Sequence, residues 1–357
     1  MSITIRPFGL TPDGRDVRQY TMTNRSGASV TVIDYGAILT SIIVPDKNGH
    51  MDDVALGFDS MEKYGQGHGS MGDTIGPFGN RIGKGRFTID GVTYQLELND
   101  HGINSLHSGS LNVAYKLWDA KTAETAFADS VSFHCVYEGG NDTASFPGKL
   151  DITVTYSWND MCDLIIRYEA TSTQATLCNM TNHTYFNLAG HDHGTIRDHV
   201  MYIDADVITP VDDGLIPLGT YMPVSHTPLD MREGLLLGDG LDAMDTCPQM
   251  IPAKGYDHNY VLRKGEAMGL AACVHHEETG RTMEVITDQP AVQLYTACTA
   301  HYEGGKGGAS YGAYSGLCLE TQHCPDSPNN PQFPGTTILR PGEKYDTTTI
   351  YAFRVDA

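Results

Sequence analysis

Residues 80–98 read NRIGKGRFTIDGVTYQLEL, and apolar and polar side chains alternate along them on both sides of Asp90-Gly91. Phe87 and Ile89 alternate with Arg86 and Thr88, and Val92, Tyr94, Leu96 and Leu98 alternate with Thr93, Gln95 and Glu97. A period of two is that of a strand with one buried face. Asp-Gly is a pair that tolerates the left-handed dihedrals a two-residue hairpin turn demands. The stretch predicts two antiparallel strands, Arg86–Ile89 and Val92–Leu98, joined at that turn.

The same pattern recurs outward in both directions. SVTVID (29–34), LTSIIVP (39–45), VSFHCVY (131–137), LDITVTYSW (150–158), DLIIRYEA (163–170), MEVIT (283–287), VQLYTA (292–297) and LCLET (317–321) are short and rich in β-branched residues. Asn159-Asp160 supplies a turn, and TTILRPGEKYDTTTIYAFRV (336–355) reads as two closing strands. Helical signals are few: one turn opening the Gly-rich segment 59–79, and one short helix within GLLLGDGLDAM (234–244). Residues 204–255, rich in Pro, Gly and Asp, read as an excursion over the sheets. No heptad or longer repeat runs through the chain. The expectation is an all-β protein, a large antiparallel β-sandwich with few short helices, folded as a single domain over residues 1–357.

The bulk properties narrow the function. With 23 Lys and Arg against 44 Asp and Glu, the formal net charge is −21. Such a surface repels nucleic acid and anionic membrane. No apolar run reaches the roughly 20 residues of a membrane span, and the N-terminus MSITIRPFGLTPDGRD lacks a signal pattern. The eight cysteines form no Cys-x-x-Cys pair. A cytoplasmic protein with reduced thiols, without nucleic-acid or membrane partners, is expected. Nothing in the sequence fixes assembly beyond a monomer or weak dimer.

Polar groups cluster in LCNMTNHTYFNLAG (177–190), which offers an imidazole, amides, a hydroxyl and two flat rings. That mixture suits a neutral, hydroxyl-rich ligand, with polar groups for orientation and ring faces for stacking. The bland reading is a satisfied histidine at a strand end. Arg81 stands just before the hairpin, and His107 lies in a polar loop with His101. Asp257 precedes a strand start, and Glu320 ends an otherwise apolar strand. HDHGTIRDH (191–199) raises a metal-ligand reading for His191 and His193, but no cysteine or third ligand stands at zinc-site spacing. The loop 301–316, HYEGGKGGASYGAYSG, reads as flexible and suited to bordering a cleft.

Taken together and in order, NRIGKGRF, NSLHSG, TNHTYFNL, GYDHNY, VQLYT, CLETQ and RPGEKYDTTTIYAF closely resemble the galactose mutarotase, or aldose 1-epimerase, family over nearly the whole chain. The resemblance implies a β-sandwich with a sugar in an open cleft, no cofactor and no metal, and interconversion of α- and β-aldohexopyranoses such as D-glucose and D-galactose. Carried over residue by residue, it implies Glu320 as general base and His183 as general acid. It implies Arg81, His107, Asp257 and Gln293 as sugar-holding residues, with Asn80 and Tyr185 flanking such positions. One departure is Ser108, where the family more usually has glycine after Leu-His; it bears on the loop backbone, not on His107.

The residue types fit that chemistry on their own terms. Anomers exchange by ring opening to an aldehyde, rotation about C1–C2, and closure on the other face. Opening needs a base for the C1 hydroxyl proton and an acid for the ring oxygen, each worth about 10²–10⁴-fold. The expectation is that carboxylate and imidazole lie on opposite sides of the hemiacetal. Three other readings stand beside it: a non-catalytic carbohydrate-binding protein on the same fold, a glycoside hydrolase, which would need two facing carboxylates, and a sugar-phosphate 1-epimerase, which would need clustered cations.

Overall fold

The computed structural model describes residues 2–65, 67–140 and 143–355. The loop readings over 59–79 and 138–149 each include positions outside those ranges. Among the described residues every paired strand runs antiparallel to its neighbour, and the α-helices are three short ones, Met61–Tyr64, Leu237–Asp242 and Met250–Ala253. The expected β-sandwich is what the chain forms.

The hairpin over 80–98 forms with Arg86–Ile89 paired to Val92–Gln95, Ile89 opposite Val92. Asp90 and Gly91 both take positive φ, 50° and 82°, the turn their identities require. Its second strand stops at Gln95 rather than Leu98, because the Leu96 N–H turns back to the Gly85 carbonyl and Gln95 Nε2 donates to the Lys84 and Leu96 carbonyls.

A nine-stranded sheet forms one layer. Its order is Asp119–Glu124, Ala128–Tyr137, Leu150–Asn159, Asp163–Ser172, Tyr345–Val355, Arg281–Thr287, Gly269–His276, His199–Ile203 and Leu235–Leu236. Along Leu150–Asn159 the residues Leu150, Ile152, Val154, Tyr156 and Trp158 are buried, while their alternates face outward. Trp158 stands opposite Leu164, and Leu164 opposite Tyr351, so these three project from one face. On that face Trp158 Nε1 donates to the Ala28 carbonyl and the Tyr351 hydroxyl to the Leu319 carbonyl.

Those two bonds identify the opposing layer. Ala28 adjoins a five-stranded meander of Ser2–Leu10, Asp16–Thr23, Ser29–Ile33, Leu39–Pro45 and Met51–Asp53. Leu319 belongs to a second five-stranded sheet, ordered Met222–Pro223, Ala205–Ile208, Asp257–Leu262, Ala291–Tyr295 and Cys318–Gln322. Residues of all three sheets, among them Val30, Tyr156 and Leu294, share one buried hydrophobic cluster. The excursion 204–255 is therefore partly sheet: Ala205–Ile208 pairs with Asp257–Leu262.

Candidate active site

The register of the second five-stranded sheet builds the site. Asp257 stands opposite Tyr295, and Tyr295 opposite Cys318. One step along, Asn259 stands opposite Gln293 and Gln293 opposite Glu320. Residues two apart on a strand share a face, so Asp257, Gln293, Tyr295, Cys318 and Glu320 all project from the same side. Sequence separations of tens of residues collapse to two adjacent rows.

His183 reaches this face from a segment locked at its backbone. Thr181–Asn182 pairs with Thr74–Ile75, and the Phe186–Leu317 bridge lays the segment beside Cys318–Gln322. The His183 N–H donates to the Asp73 carbonyl, and the Gly72 N–H to the His183 carbonyl. Asn182 Oδ1 accepts from the Thr184 N–H at 3.1 Å and its hydroxyl at 2.5 Å. Asp73 is itself held by a buried ion pair with His68 Nε2 at 2.5 Å.

These elements wall a cleft of about 490 Å³, within the range of small-molecule sites. Asn80, Arg81, His107, His183, Tyr185, Asp257 and Glu320 line it, together with Tyr295, Cys298, Thr299 and Lys254. Glu320 Oε1 lies 3.6 Å from His183 Nε2, with both side chains almost wholly buried. The carboxylate and the imidazole thus stand side by side in the cleft. Two oxygens on one anomeric carbon are close enough together for adjacent groups to serve both. Glu320 Oε2 is buried and has no hydrogen-bond partner. Burial raises the Glu320 carboxyl above its ordinary range; His183 and Arg81 pull it down and Asp257 pushes it up, and the net shift is upward.

His107 is a neutral donor by construction. Its Nδ1 accepts the Asn80 N–H at 3.1 Å, which leaves the ring proton on Nε2. Burial, His183 and Arg81 together hold it well below the usual imidazole range. Asn80, His107 and Ser108 all adopt left-handed φ, 64°, 50° and 65°, a conformation non-glycine residues enter at some cost. The Ser108 hydroxyl repays part of it by accepting from the Phe78 N–H and donating to the Phe78 carbonyl, both at 2.9 Å.

Arg81 is clamped. Its Nε donates to Asp100 Oδ2 at 3.1 Å and its Nη1 to Asp257 Oδ2 at 3.4 Å. Burial works against the guanidinium charge, but Asp257 and Asp100 outweigh it and its pKa rises. Gln293 meets the cleft through Asp257, donating Nε2 to Asp257 Oδ1 at 2.6 Å. The Tyr185 hydroxyl is spent on the Gly69 carbonyl at 2.8 Å, so its ring is what it offers the site, 5.1 Å from the His183 ring.

Sequence reading missed Tyr295, Cys298, Thr299 and Lys254, since nothing marks them until the sheet register is known. His191 and His193 do not converge: His191 Nδ1 meets the Tyr311 hydroxyl, while His193 faces Asp192 and Asp52. Among the described residues two other groups bring three ligand atoms within 4.8 Å of one another, His107 with His183 and Glu320, and Asp198 with His199 and His276. A cation on His107 Nε2 would force a proton onto Nδ1, against the Asn80 N–H. His199 Nε2 likewise accepts the Leu188 N–H, so its Nδ1 keeps the proton it gives Asp198. Neither donor set suits an ion.

Comparison with known proteins agrees with this geometry. The family model described as aldose 1-epimerase matches residues 18–352. The galactose mutarotase of Homo sapiens is 40% identical over 357 residues, covering 99% of each chain. The aldose 1-epimerase of Escherichia coli K12 is 35% identical over 346 residues, 96% of this chain and 97% of its own. Among solved structures, an aldose epimerase homologue from C. elegans superposes with a TM-score of 0.84 at 30% identity, over 94% of this chain and 98% of its own. A galactose 1-epimerase from Lactobacillus acidophilus superposes with a TM-score of 0.86 at 25% identity over both whole chains. With its fold, its cleft and its sequence in agreement along nearly the full length, the chain belongs to the aldose 1-epimerase family.

Proposed function

We propose that the chain interconverts the α and β anomers of an aldohexopyranose, D-glucose or D-galactose, with Glu320 as base and His183 as acid. The carrying observation is the unpartnered, buried Oε2 of Glu320 beside an imidazole 3.6 Å from Oε1. A buried carboxylate oxygen without a donor is costly, and the C1 hydroxyl of a sugar supplies the missing donor.

Glu320 takes the O1 proton. The O1 electrons form the C1 carbonyl as the C1–O5 bond breaks, and O5 takes the proton from His183. Rotation about C1–C2 presents the other carbonyl face. Glu320 then returns its proton to the carbonyl oxygen while His183 recovers one from the O5 hydroxyl, so no net proton is consumed. His107 Nε2–H stabilises developing charge on a sugar oxygen, Arg81 and Asp257 hold ring hydroxyls, and Gln293 and Asn80 hold Asp257 and His107 in place. The rings of Tyr185 and Tyr295 pack beside His183, at 5.1 and 6.2 Å between centroids.

A phosphorylated sugar suits the cleft poorly. Arg81 is already matched by two carboxylates, and Lys254 is the other Lys or Arg on the cleft wall among the described residues. We further read the chain as one domain, supported by the core shared among its three large sheets, and place it in a reducing compartment such as the cytoplasm, supported by eight free cysteines. No helix is long and apolar enough to cross a membrane among the described residues. Polarimetry tests the activity: fresh α-D-glucose and α-D-galactose should reach anomeric equilibrium faster with catalytic protein present, and glucose 6-phosphate should show little acceleration. Binding of these sugars without acceleration would make it a carbohydrate-binding protein instead.

A further inference from the structure

Two carboxylates meet the Arg81 guanidinium, and they are not equivalent. Asp100 Oδ2 accepts from Nε at 3.1 Å, with both side chains largely buried. Asp257 Oδ2 accepts from Nη1 at 3.4 Å, longer than an ordinary N–H···O bond. Arg81 Nη2 has no partner among the described contacts. Asp100 is set in place by its own backbone. The Ile103 N–H closes a turn on the Asp100 carbonyl, with His101 and Gly102 both at positive φ, 52° and 72°. The Asp100 N–H donates to the Asn104 carbonyl at 3.0 Å, and the Asn104 N–H returns to the Asp100 carbonyl at 3.1 Å. Asn104 Oδ1 accepts from the Lys84 N–H at 3.0 Å, which ties this turn to the chain just after Arg81. Among the described contacts the Asp100 carboxylate bonds none of that backbone: Oδ2 meets Arg81, and Oδ1 lies 3.8 Å from Nε2 of the exposed His101.

We propose that Asp100 is a positioning residue for Arg81, holding the guanidinium by Nε in the empty and the occupied cleft alike, so that Nη1 and Nη2 remain as donors for the sugar. The proposal rests on the reading of Arg81 as a sugar-holding residue. Asp257 cannot be the fixed point. It is itself assigned to ring hydroxyls, and a hydroxyl that donates to Oδ2 competes with the long Nη1 bond. Asp100 stands behind Arg81 and is not part of the cleft wall, so no sugar hydroxyl displaces it. An arginine side chain has much rotamer freedom, and an anchor already in place removes most of it before the sugar arrives. The anchor also keeps the guanidinium charge compensated when Asp257 turns to the sugar, which suits a neutral ligand.

The test combines nitrogen NMR of arginine-labelled, ligand-free protein with steady-state kinetics on D-galactose. An Arg81→Met spectrum identifies the Arg81 signal. Wild type should show a slowly exchanging Arg81 Nε–H, and so should Asp100→Asn, whose amide oxygen can accept from Nε. Asp100→Ala should lose that protection. In Asp100→Ala KM should rise about 3–30-fold, the weight of one hydrogen bond to a charged group felt through Arg81, with kcat within about threefold. Asp100→Asn should recover most of the loss. In an Arg81→Met background Asp100→Ala should change KM by less than about twofold, because the residue it acts through is gone. A protected Arg81 Nε–H that persists in Asp100→Ala would overturn the proposal, as would equal rises of KM in Asn and Ala, or additive effects in that cycle. A wild-type KM in Arg81→Met would instead overturn the reading of Arg81 as sugar-holding. The NMR readout separates the two failures because it needs neither sugar nor turnover.

Discussion

Asn80 and His107 hold each other by two hydrogen bonds: the Asn80 N–H donates to His107 Nδ1, and the His107 N–H donates to the Asn80 carbonyl, both at 3.1 Å. The first bond fixes the proton on His107 Nε2 and makes the ring a donor toward the cleft. His107→Gln, whose amide nitrogen can stand near that Nε2, should keep more activity than His107→Phe. The Phe variant should lose about 10–100-fold in kcat/KM, the weight of one charge-stabilising donor. Equal losses in both variants would show that the donor is not what His107 contributes.

The pH dependence follows from Glu320. As the proposed base it must be ionised, and its folded-state pKa lies above the ordinary carboxylate value because burial outweighs the pull of His183 and Arg81. The acidic limb of kcat/KM should therefore have its midpoint above that ordinary value. The sign for stability is the opposite of a salt-bridged carboxylate. A raised folded pKa contributes stability below the unfolded value, and that contribution is lost as pH rises through the folded value. Above that folded value the ionised Glu320 is thus a cost to folding. Glu320→Gln should raise Tm, by roughly 1–4 °C, in calorimetry at pH 7. A lower Tm would mean that the carboxylate is a net stabiliser there.

Gln293 donates to Asp257 at 2.6 Å, which predicts that it acts through that residue. Asp257→Ala should raise KM about tenfold or more and Gln293→Ala less, and the double variant should be little worse than Asp257→Ala alone. Additive effects in that cycle would place Gln293 in independent contact with the sugar.

Much of this was legible in the sequence, and what was not has physical reasons. The hairpin at Asp90-Gly91 and the inward row of Leu150–Asn159 read directly, because one-sided burial leaves a period of two. Ser2–Leu10 lies mostly exposed at a sheet edge, so its alternation carries no such mark. Seven short motifs in order identified the family, and of the eight residues drawn from them all but Gln293 line one cleft. The partners that orient those residues were hidden, because they depend on register. Asp100 looks like one more polar loop residue until its turn is placed beside Arg81.

Loop 301–316 shows the same limit more sharply. Its glycines suggest a flexible segment, yet Lys306 is buried and donates to Asp53 Oδ2 at 2.6 Å and to the Thr40 and Ala55 carbonyls at 2.9 and 2.5 Å. The loop is pinned to the first sheet by that ammonium. Lys306→Met should destabilise the protein by up to about 3–5 kcal/mol, because it leaves the partly buried Asp53 without its counter-charge. Urea unfolding measures this, and a loss under about 1 kcal/mol would mean that the pair is in effect a surface one.

The account depends above all on Glu320 acting as the base in the cleft it shares with His183. Polarimetry of fresh α-D-galactose with wild type and Glu320→Gln tests this most directly, with circular dichroism confirming that the variant is folded. The account predicts a folded variant whose rate falls by about 10²–10⁴-fold, close to the uncatalysed rate. A folded Glu320→Gln protein that equilibrates the anomers as fast as wild type would contradict it.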